Sequence, residues 1–264
     1  MDAFWIALTA KAVSTALVVV AASVVAERVG PKWGGLVACF PVSAGPAYVL
    51  LALQHDARFI AESALASLAC GVATWAFLAS FVTFAQRRGL WPSLLGALGV
   101  WFVLAATVRA VPWSVTGAAL ANVAAFIIAV RLTPRTVAHG AALTRPPSWA
   151  ELPVRALLVG LFVAMVVTVS DAIGPAVTGI AAVFPITLSS LAVVLNRSFG
   201  VAGAAAALRG AIKPIIGIAC GLTVLALTPL ALGVWPALGV SLLAALAWPM
   251  IMIAQGALRR SSSS

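Results

Sequence analysis

The chain has 264 residues, of which 63% are hydrophobic and 8% are charged, and its mean hydropathy is +1.14. Soluble domains carry about 25% charged residues, so this composition excludes a soluble globular protein. The net charge of +10 would indicate nucleic acid as a partner of a soluble chain, but here the cations lie mostly in short connections between apolar runs. We therefore expect an integral membrane protein whose partner is the lipid bilayer, with no nucleic acid.

Apolar runs near the length of about 20 residues that crosses a bilayer recur along the whole chain. They predict an all-α bundle of nine transmembrane helices, at residues 3–26, 34–53, 60–85, 90–108, 112–130, 149–170, 175–195, 214–230 and 232–254. We divide the chain into a first repeat with a linking fifth helix at 1–131, a cytoplasmic linker at 132–148, a second repeat at 149–260 and a polar tail at 261–264.

The cations predict which ends of the spans face the cytoplasm, because cytoplasmic connections carry an excess of Lys and Arg. One side has only Arg58 and Arg109. The other side has Arg28, Lys32, Arg87, Arg88, Arg131, Arg135, Arg145, Arg197, Arg209, Lys213, Arg259 and Arg260. The rule therefore places the N-terminus outside and the C-terminus in the cytoplasm.

The first span carries Lys11 about two turns inside it, and the sixth carries Arg155 at the equivalent place, 144 positions later. A charge within a bilayer is costly and usually faces the bundle interior. Both cations are also within reach of an interface, where a long side chain can snorkel to the headgroups. Their matched positions favour a role as counter-charges for an anionic solute.

The second and seventh spans share an interrupted pattern. A Gly-Pro pair is followed by an apolar run and then by Phe40-Pro41-Val42-Ser43 in one copy and Phe184-Pro185-Ile186-Thr187 in the other. Proline removes a backbone donor and breaks or kinks a helix. Interrupted segments at matching places in two halves are typical of a transporter's binding site. We therefore predict broken second and seventh helices.

The two copies belong to a longer repeat. A shift of 144 positions also aligns Trp5 with Trp149 and residues 89–92 with residues 233–236, while residues 68–71 align best with 218–221 after a shift of 150. Five spans precede the second copy, and an odd number reverses its direction across the membrane. The halves are therefore predicted to be inverted repeats.

Polar residues follow both breaks, and together they predict a substrate site. A broken helix exposes N–H groups that, with nearby hydroxyls, can hold an anion. The same hydroxyls could instead only satisfy freed backbone groups. The candidate substrate-binding residues are Lys11, Phe40, Pro41, Ser43, Arg155, Phe184, Pro185, Thr187, Ser189 and Ser190.

Acidic residues are few. Glu62 enters the third span and is the candidate for carrying a coupling proton, because an intramembrane carboxylate is by default a functional hypothesis. Arg58 lies four residues before it, so a local surface ion pair is the alternative. Glu27 and Asp171 precede the two Gly-Pro pairs, where each could cap the following helix or act as a gate carboxylate.

Residues 198–212 are rich in alanine and carry Arg209. We expect them to form a cytoplasmic interfacial segment that leads into the eighth span, with Arg209 and Lys213 reaching the headgroups.

No enzyme signature is present in the sequence: it lacks a Ser/His/Asp set, an HExxH motif and a phosphate loop. We therefore predict no catalytic residues, no cofactor and no metal site.

Residues 179–188, with their partner segment 35–44, resemble the Gly-Leu-x-x-x-Phe-Pro-Thr-type second span of GlpM-like short bacterial membrane proteins. Two fused, inverted copies of such a unit would produce this chain, although its length and its fifth span depart from the family pattern. The resemblance covers little more than one span in each half. It implies a bacterial inner-membrane protein linked to the export of cell-surface material.

The sequence thus predicts a secondary transporter that moves a small anionic solute by alternating access, with a central site where the second and seventh helices break. The alternative is a non-transporting accessory membrane protein or a lipid scramblase, in which the breaks shape a lipid-facing furrow. The sequence leaves a homodimer open.

Overall fold

The computed structural model describes residues 44–134 and 151–261, apart from the side chains of 151–156, 198, 253–254 and 256–261. These two stretches form helices and no strands. The helices are α1 Ala44–Ala52, α2 Ala57–Phe84, α3 Leu90–Arg109, α4 Val115–Leu132, α5 Glu151–Ala182, α6 Ile186–Ala211, α7 Ile216–Leu227, α8 Pro229–Leu232 and α9 Val234–Ser261.

Five of these helices contain segments that are long and apolar enough to cross a bilayer: Ala57–Phe84, Leu90–Arg109, Val115–Leu132, Leu157–Ala182 and Val234–Met252. The all-helical, membrane-spanning character predicted from the sequence is confirmed. The third, fourth, fifth and ninth predicted spans coincide with α2, α3, α4 and α9. The first span and residues 34–43 of the second lie outside the described residues, so the count of nine stays a prediction.

The backbone of α5 leaves the helical conformation at Gly174, where φ is 73° and ψ is 172°. Proline disfavours the helical conformation of the residue before it, and a positive φ suits glycine because it has no Cβ. Gly174 and Pro175 therefore separate the sixth predicted span from a short helical segment, residues 175–182, which we call the entry half-helix.

The seventh predicted span is interrupted where the sequence placed its break. Val183, Phe184 and Pro185 lie outside the helices, and α6 begins at Ile186. A second non-helical residue, Gly200 with φ 69° and ψ 178°, divides α6 further along. The apolar segment Ile186–Arg197 is itself too short to cross a bilayer.

The expected interfacial segment at residues 198–212 is not an exposed surface segment in the structure. The structure instead has a helix, Phe199–Ala211, whose Ala204, Ala205 and Leu208 are completely buried. Small side chains allow helices to approach closely, so an alanine-rich run suits a packed interior as well as a surface. This helix and Ile216–Leu227 form a pair bent by 44° that reaches spanning length only as a unit. The eighth predicted span, residues 214–230, is therefore replaced by a bent pair.

Helix α2 is the centre of the described bundle. It packs against α3, α4, α5 and α7, and it supplies most of the largest fully buried side chains, including Trp75, Phe77 and Phe81. By contrast, α4 and α9 expose large apolar side chains outward, as lipid-facing helices do; these include Leu120, Val123, Ile127, Ile128, Val240, Leu242 and Leu243.

Three contacts join distant parts of the chain. His55 after the second span contacts Ser170 at the end of the sixth. Arg209 Nη1 donates to Thr133 Oγ1 after the fifth span. Trp248 Nε1, near the predicted inner end of the ninth span, donates to Lys213 O. The order of crossings and the orientation of the chain in the membrane stay predictions.

Candidate functional site

A cavity of about 80 Å³ lies where the interrupted helix meets the centre of the bundle. Its walls come from α1, α2, α4, α7, the break after α5 and the start of α6. The lining residues are Ala44, Leu68, Gly71, Thr74, Trp75, Asn122, Ala182, Val183, Phe184, Pro185, Thr187, Leu188, Ile215, Ile218, Ala219 and Leu222. The break predicted from the sequence is therefore one wall of this cavity.

The backbone at the break has an incomplete set of hydrogen bonds. Phe184 N donates to Ala181 O at 3.0 Å, and Ile186 N donates back to Phe184 O at 2.7 Å. Pro185, the residue before α6, offers no side-chain cap to that helix. The first amides of a helix lack acceptors within the helix, and in the described part of the chain nothing else caps those of Thr187 and Leu188. The N-terminus of α6 therefore presents free donors beside the cavity.

Two threonine hydroxyls at the cavity are buried without a hydrogen-bond partner among the described residues, Thr74 Oγ1 on α2 and Thr187 Oγ1 on α6. Thr187 is only 8% exposed. A buried polar group that makes no hydrogen bond costs about 1–3 kcal/mol. The two hydroxyls are therefore suited to bind water or a polar solute inside the cavity.

The side chain of Asn122 forms a fixed part of the wall. Its Nδ2 donates to Leu68 O at 2.6 Å and to Ala118 O at 2.8 Å, and its Oδ1 accepts from Trp75 Nε1 at 3.1 Å. Both hydrogens of Nδ2 are thus used by α2 and by its own helix, and the side chain holds α4 against α2 behind the cavity. Asn122 is not among the residues predicted from the sequence, although a lone asparagine in the fifth span was a usable signal.

A second buried network holds the entry half-helix in place. Ser67 Oγ donates to Gly179 O at 2.6 Å. Because the serine hydroxyl has one hydrogen, Tyr48 OH must be the donor in its 2.7 Å contact with Ser67 Oγ. Tyr48 is the only tyrosine of the chain. The network joins α1, α2 and the half-helix that enters the break.

The ring of Phe184 lies among three other aromatic rings. Its centroid is 5.1 Å from that of Trp101, 5.3 Å from that of Phe162 and 5.8 Å from that of Phe102. Phe102 is exposed on the outer surface of α3. The aromatic cluster therefore separates this side of the cavity from the lipid-facing surface.

Some predicted site residues lie at the cavity and others do not. Phe184, Pro185 and Thr187 line it. Ser190 Oγ instead donates to Thr187 O at 3.0 Å, and Ser189 Oγ is buried without a partner among the described residues but does not line the cavity. Lys11, Phe40, Pro41 and Ser43 lie outside the described residues, and Arg155 belongs to α5 but its side chain is not described. Ala44, which directly follows Ser43, does line the cavity.

Glu62 does not reach the interior. Arg58 Nε donates to Glu62 Oε1 at 2.8 Å, and the two side chains are 78% and 48% exposed. This is the local surface ion pair predicted as the alternative to a proton-carrying role for Glu62, because Arg58 lies four residues before it. The proposed coupling role of Glu62 therefore has no support in the geometry, because the carboxylate points outward from the first turns of α2.

The described lining of the cavity carries no charged side chain. Its polar groups are hydroxyls, the side-chain amide of Asn122 and backbone N–H groups. Within residues 44–134 and 151–261 there is also no group of three or more metal-ligating side chains. The described walls can therefore act on a ligand by hydrogen bonds and shape, and any counter-charge would have to come from elsewhere in the chain.

No family model, no curated protein and no solved structure matches this chain.

Proposed function

We propose that this protein is a secondary transporter for a small anionic solute in the bacterial inner membrane, and that it works by alternating access. The observation that carries the proposal is the cavity at the break before Ile186, where a free helix N-terminus and the unpartnered hydroxyl of Thr187 meet. Non-helical backbone within a membrane is tolerated where it lines a cavity. Helix N-termini that point at anionic groups are typical of transporters with broken helices.

The lining residues support two inverted repeats. Ala44 and Leu188 are 144 positions apart and both line the cavity; Leu68 and Ile218 are 150 positions apart and both line it as well. These are the two shifts that align the halves of the sequence. The start of α9 at Val234 also lies 144 positions after the start of α3. Matched residues of the two halves thus contribute to one site.

The cavity size limits the solute. A volume of about 80 Å³ holds on the order of five water molecules, because each water needs roughly 15 Å³ of cavity volume. The solute would be a small inorganic or organic anion. The amides of α6 and Thr187 would bind it, and Lys11 and Arg155 would supply the counter-charge.

Uptake by the full-length protein in liposomes tests this function. Labelled phosphate and labelled methanesulfonate are suitable probes, because both are small and stay charged at neutral pH. The wild type should take up at least one of them. Thr187→Val should reduce the initial rate at least about tenfold, since a hydrogen bond to a charged group contributes about 1.5–3 kcal/mol.

Thr223→Val is the matched control. Thr223 Oγ1 donates to Ala219 O at 2.8 Å within its own helix and does not line the cavity, so its loss should leave uptake unchanged. Absence of uptake of both probes, or equal uptake by wild type and Thr187→Val, would contradict the proposal. Scrambling of a fluorescent phospholipid in the same vesicles without solute uptake would favour the scramblase alternative.

A further inference from the structure

A polar cluster joins the two halves of the chain away from the cavity. It forms where the connection between α1 and α2 meets the residues just before Gly174. The side chain of His55 is 7% exposed, and its ring stacks on that of Phe59 at 3.6 Å, with an angle of 5° between the planes. Its partners on α5 are Ser170 and Asp171. We call this cluster the histidine contact.

The hydrogen bonds of the histidine contact indicate which nitrogen carries a proton. Ser170 Oγ lies 2.7 Å from Val167 O, and a carbonyl oxygen can only accept, so the single hydroxyl hydrogen is directed there. Ser170 Oγ must then accept from His55 Nε2, which lies 2.7 Å away. Nε2 is therefore protonated in this arrangement.

The second ring nitrogen faces a carboxylate. His55 Nδ1 lies 3.6 Å from Asp171 Oδ1, and an ionised carboxylate can only accept. The contact is attractive only if Nδ1 also carries a proton. The imidazolium therefore satisfies both contacts with α5, whereas the neutral ring with its proton on Nε2 satisfies one.

Three other charged side chains at this end of α2 are already engaged. Asp56 Oδ1 accepts from Phe59 N at 2.8 Å and caps α2, and Arg58 pairs with Glu62. On the α5 side the charged group is Asp171, which is 77% exposed. A buried imidazole thus lies beside a carboxylate that water reaches directly, so protons can exchange with the aqueous phase at this face.

Helix α1 connects the histidine contact to the cavity. Ala44, at one end of α1, lines the cavity, and His55 follows its other end, about 12 Å along the helix axis. Between them Ala47 and Leu51 belong to the same buried cluster as Val159, Val163 and Val167 of α5. Any motion that opens the cavity toward this face by separating α1 from α5 has to break the histidine contact.

We propose that His55 is a proton-binding residue whose protonation closes this face of the protein, so that the pH at this face regulates transport. The proposal rests on the transport function proposed above. An ordinary imidazole changes its charge between pH 5 and 8. The histidine contact is therefore favoured at low pH and weakens as the pH rises, and the cavity opens toward this face when the proton leaves.

Hydrogen exchange of the full-length protein in nanodiscs tests the proposal without a transported substrate. After correction for the intrinsic effect of pH on exchange, amides of residues 50–56 in the wild type should exchange about tenfold faster at pH 8 than at pH 5.5. We call this difference in exchange rate the pH step. This step should be lost in His55→Gln, which keeps a donor but not the charge. It should also be lost in Asp171→Asn, which changes an exposed side chain and so leaves folding intact.

Glu62→Gln is the control, since it removes a carboxylate at the same end of α2 and should keep the step. A wild type without a pH step, or a step that persists in both His55→Gln and Asp171→Asn, would overturn the proposal. The two proposals fail separately. Thr187→Val should lose anion uptake and keep the pH step, whereas His55→Gln should keep anion binding and lose the dependence of uptake on the pH at this face.

Discussion

Ala44 and Leu188 line the same cavity although 144 residues separate them in the chain. The same spacing relates the two Phe-Pro segments, so these residues stand at equivalent places just after the two predicted breaks. A carrier that alternates between two faces needs one site that both halves share. This pair meets that requirement with one residue from each half.

Asn122 should be the polar residue whose loss destabilises the bundle most. Asn122→Ala removes three hydrogen bonds and leaves Trp75 Nε1 buried without its acceptor. We expect a loss of about 1–3 kcal/mol in the free energy of unfolding, measured by denaturant titration in detergent. Gln86→Ala is the control, because the Gln86 amide donates only to Val82 O, four residues before it at the end of α2.

Gly71 provides an independent check on Asn122. A methyl group at Gly71 would collide with the Asn122 side chain. Gly71→Ala should therefore destabilise the wild type but be tolerated in Asn122→Ala, a coupling that a double-mutant cycle detects. Additive effects of the two changes would show that this contact is absent.

Gly179 should be intolerant of any side chain. A Cβ at this position would meet Ser63 O and Ala66 Cβ of α2, so Gly179→Ala should push the entry half-helix away from α2. We expect a lower melting temperature together with reduced anion uptake. Gly99 lies on α3, and a Cβ added there would meet no atom within 4 Å. Gly99→Ala should therefore be neutral or slightly stabilising. Equal melting temperatures for the two variants would contradict the close packing at Gly179.

The Tyr48, Ser67 and Gly179 network predicts an order of effects. Tyr48→Phe removes one donor and leaves the bond from Ser67 to Gly179 O intact. Ser67→Ala removes both bonds and leaves the Tyr48 hydroxyl buried without a partner, so it should cost more, about 1–3 kcal/mol. Unfolding measurements on the two variants should give that order; the reverse order would mean that the hydroxyl of Tyr48 bonds elsewhere.

Lys11 and Arg155 remain the predicted counter-charges of the anion. Lys11→Ala and Arg155→Ala should each reduce uptake of phosphate or methanesulfonate in liposomes, because the uncharged lining leaves the anion with hydrogen bonds alone. Unchanged uptake in both variants would remove the role of these cations and leave only α6 as the anion-binding element.

Some of this architecture follows directly from the sequence. The break at Phe184-Pro185 could be predicted because proline cannot donate its backbone nitrogen in a helix. The boundaries of α2, α3 and α4 could be predicted because apolar length and flanking cations decide them. Trp75, Trp101 and Trp248 all lie inside predicted spans, where packing residues are expected; Trp75 and Trp101 are buried, whereas Trp248 is 37% exposed.

Other features depend on which faces of the helices pack against each other. The packing of helix faces could not be predicted from a single sequence. The alanine-rich run that forms helix Phe199–Ala211 was predicted to be an interfacial segment, but the helix packs in the core. Glu62 was predicted to carry a proton because it lies within a predicted span, but its side chain faces outward. Asn122 and Thr74 became site residues only because α2 and α4 turn these faces toward the break.

The most direct test of the central claim is thiol labelling at the two predicted breaks. In a chain with Cys39, Cys70 and Cys220 replaced by alanine, Ser43→Cys and Thr187→Cys are each exposed to a small charged methanethiosulfonate reagent, with Thr223→Cys as the control. We predict that both sites react and that the transported anion, phosphate or methanesulfonate, protects both, while the control stays unprotected. Protection at Thr187→Cys with an unreactive or unprotected Ser43→Cys would contradict a cavity shared by two broken helices.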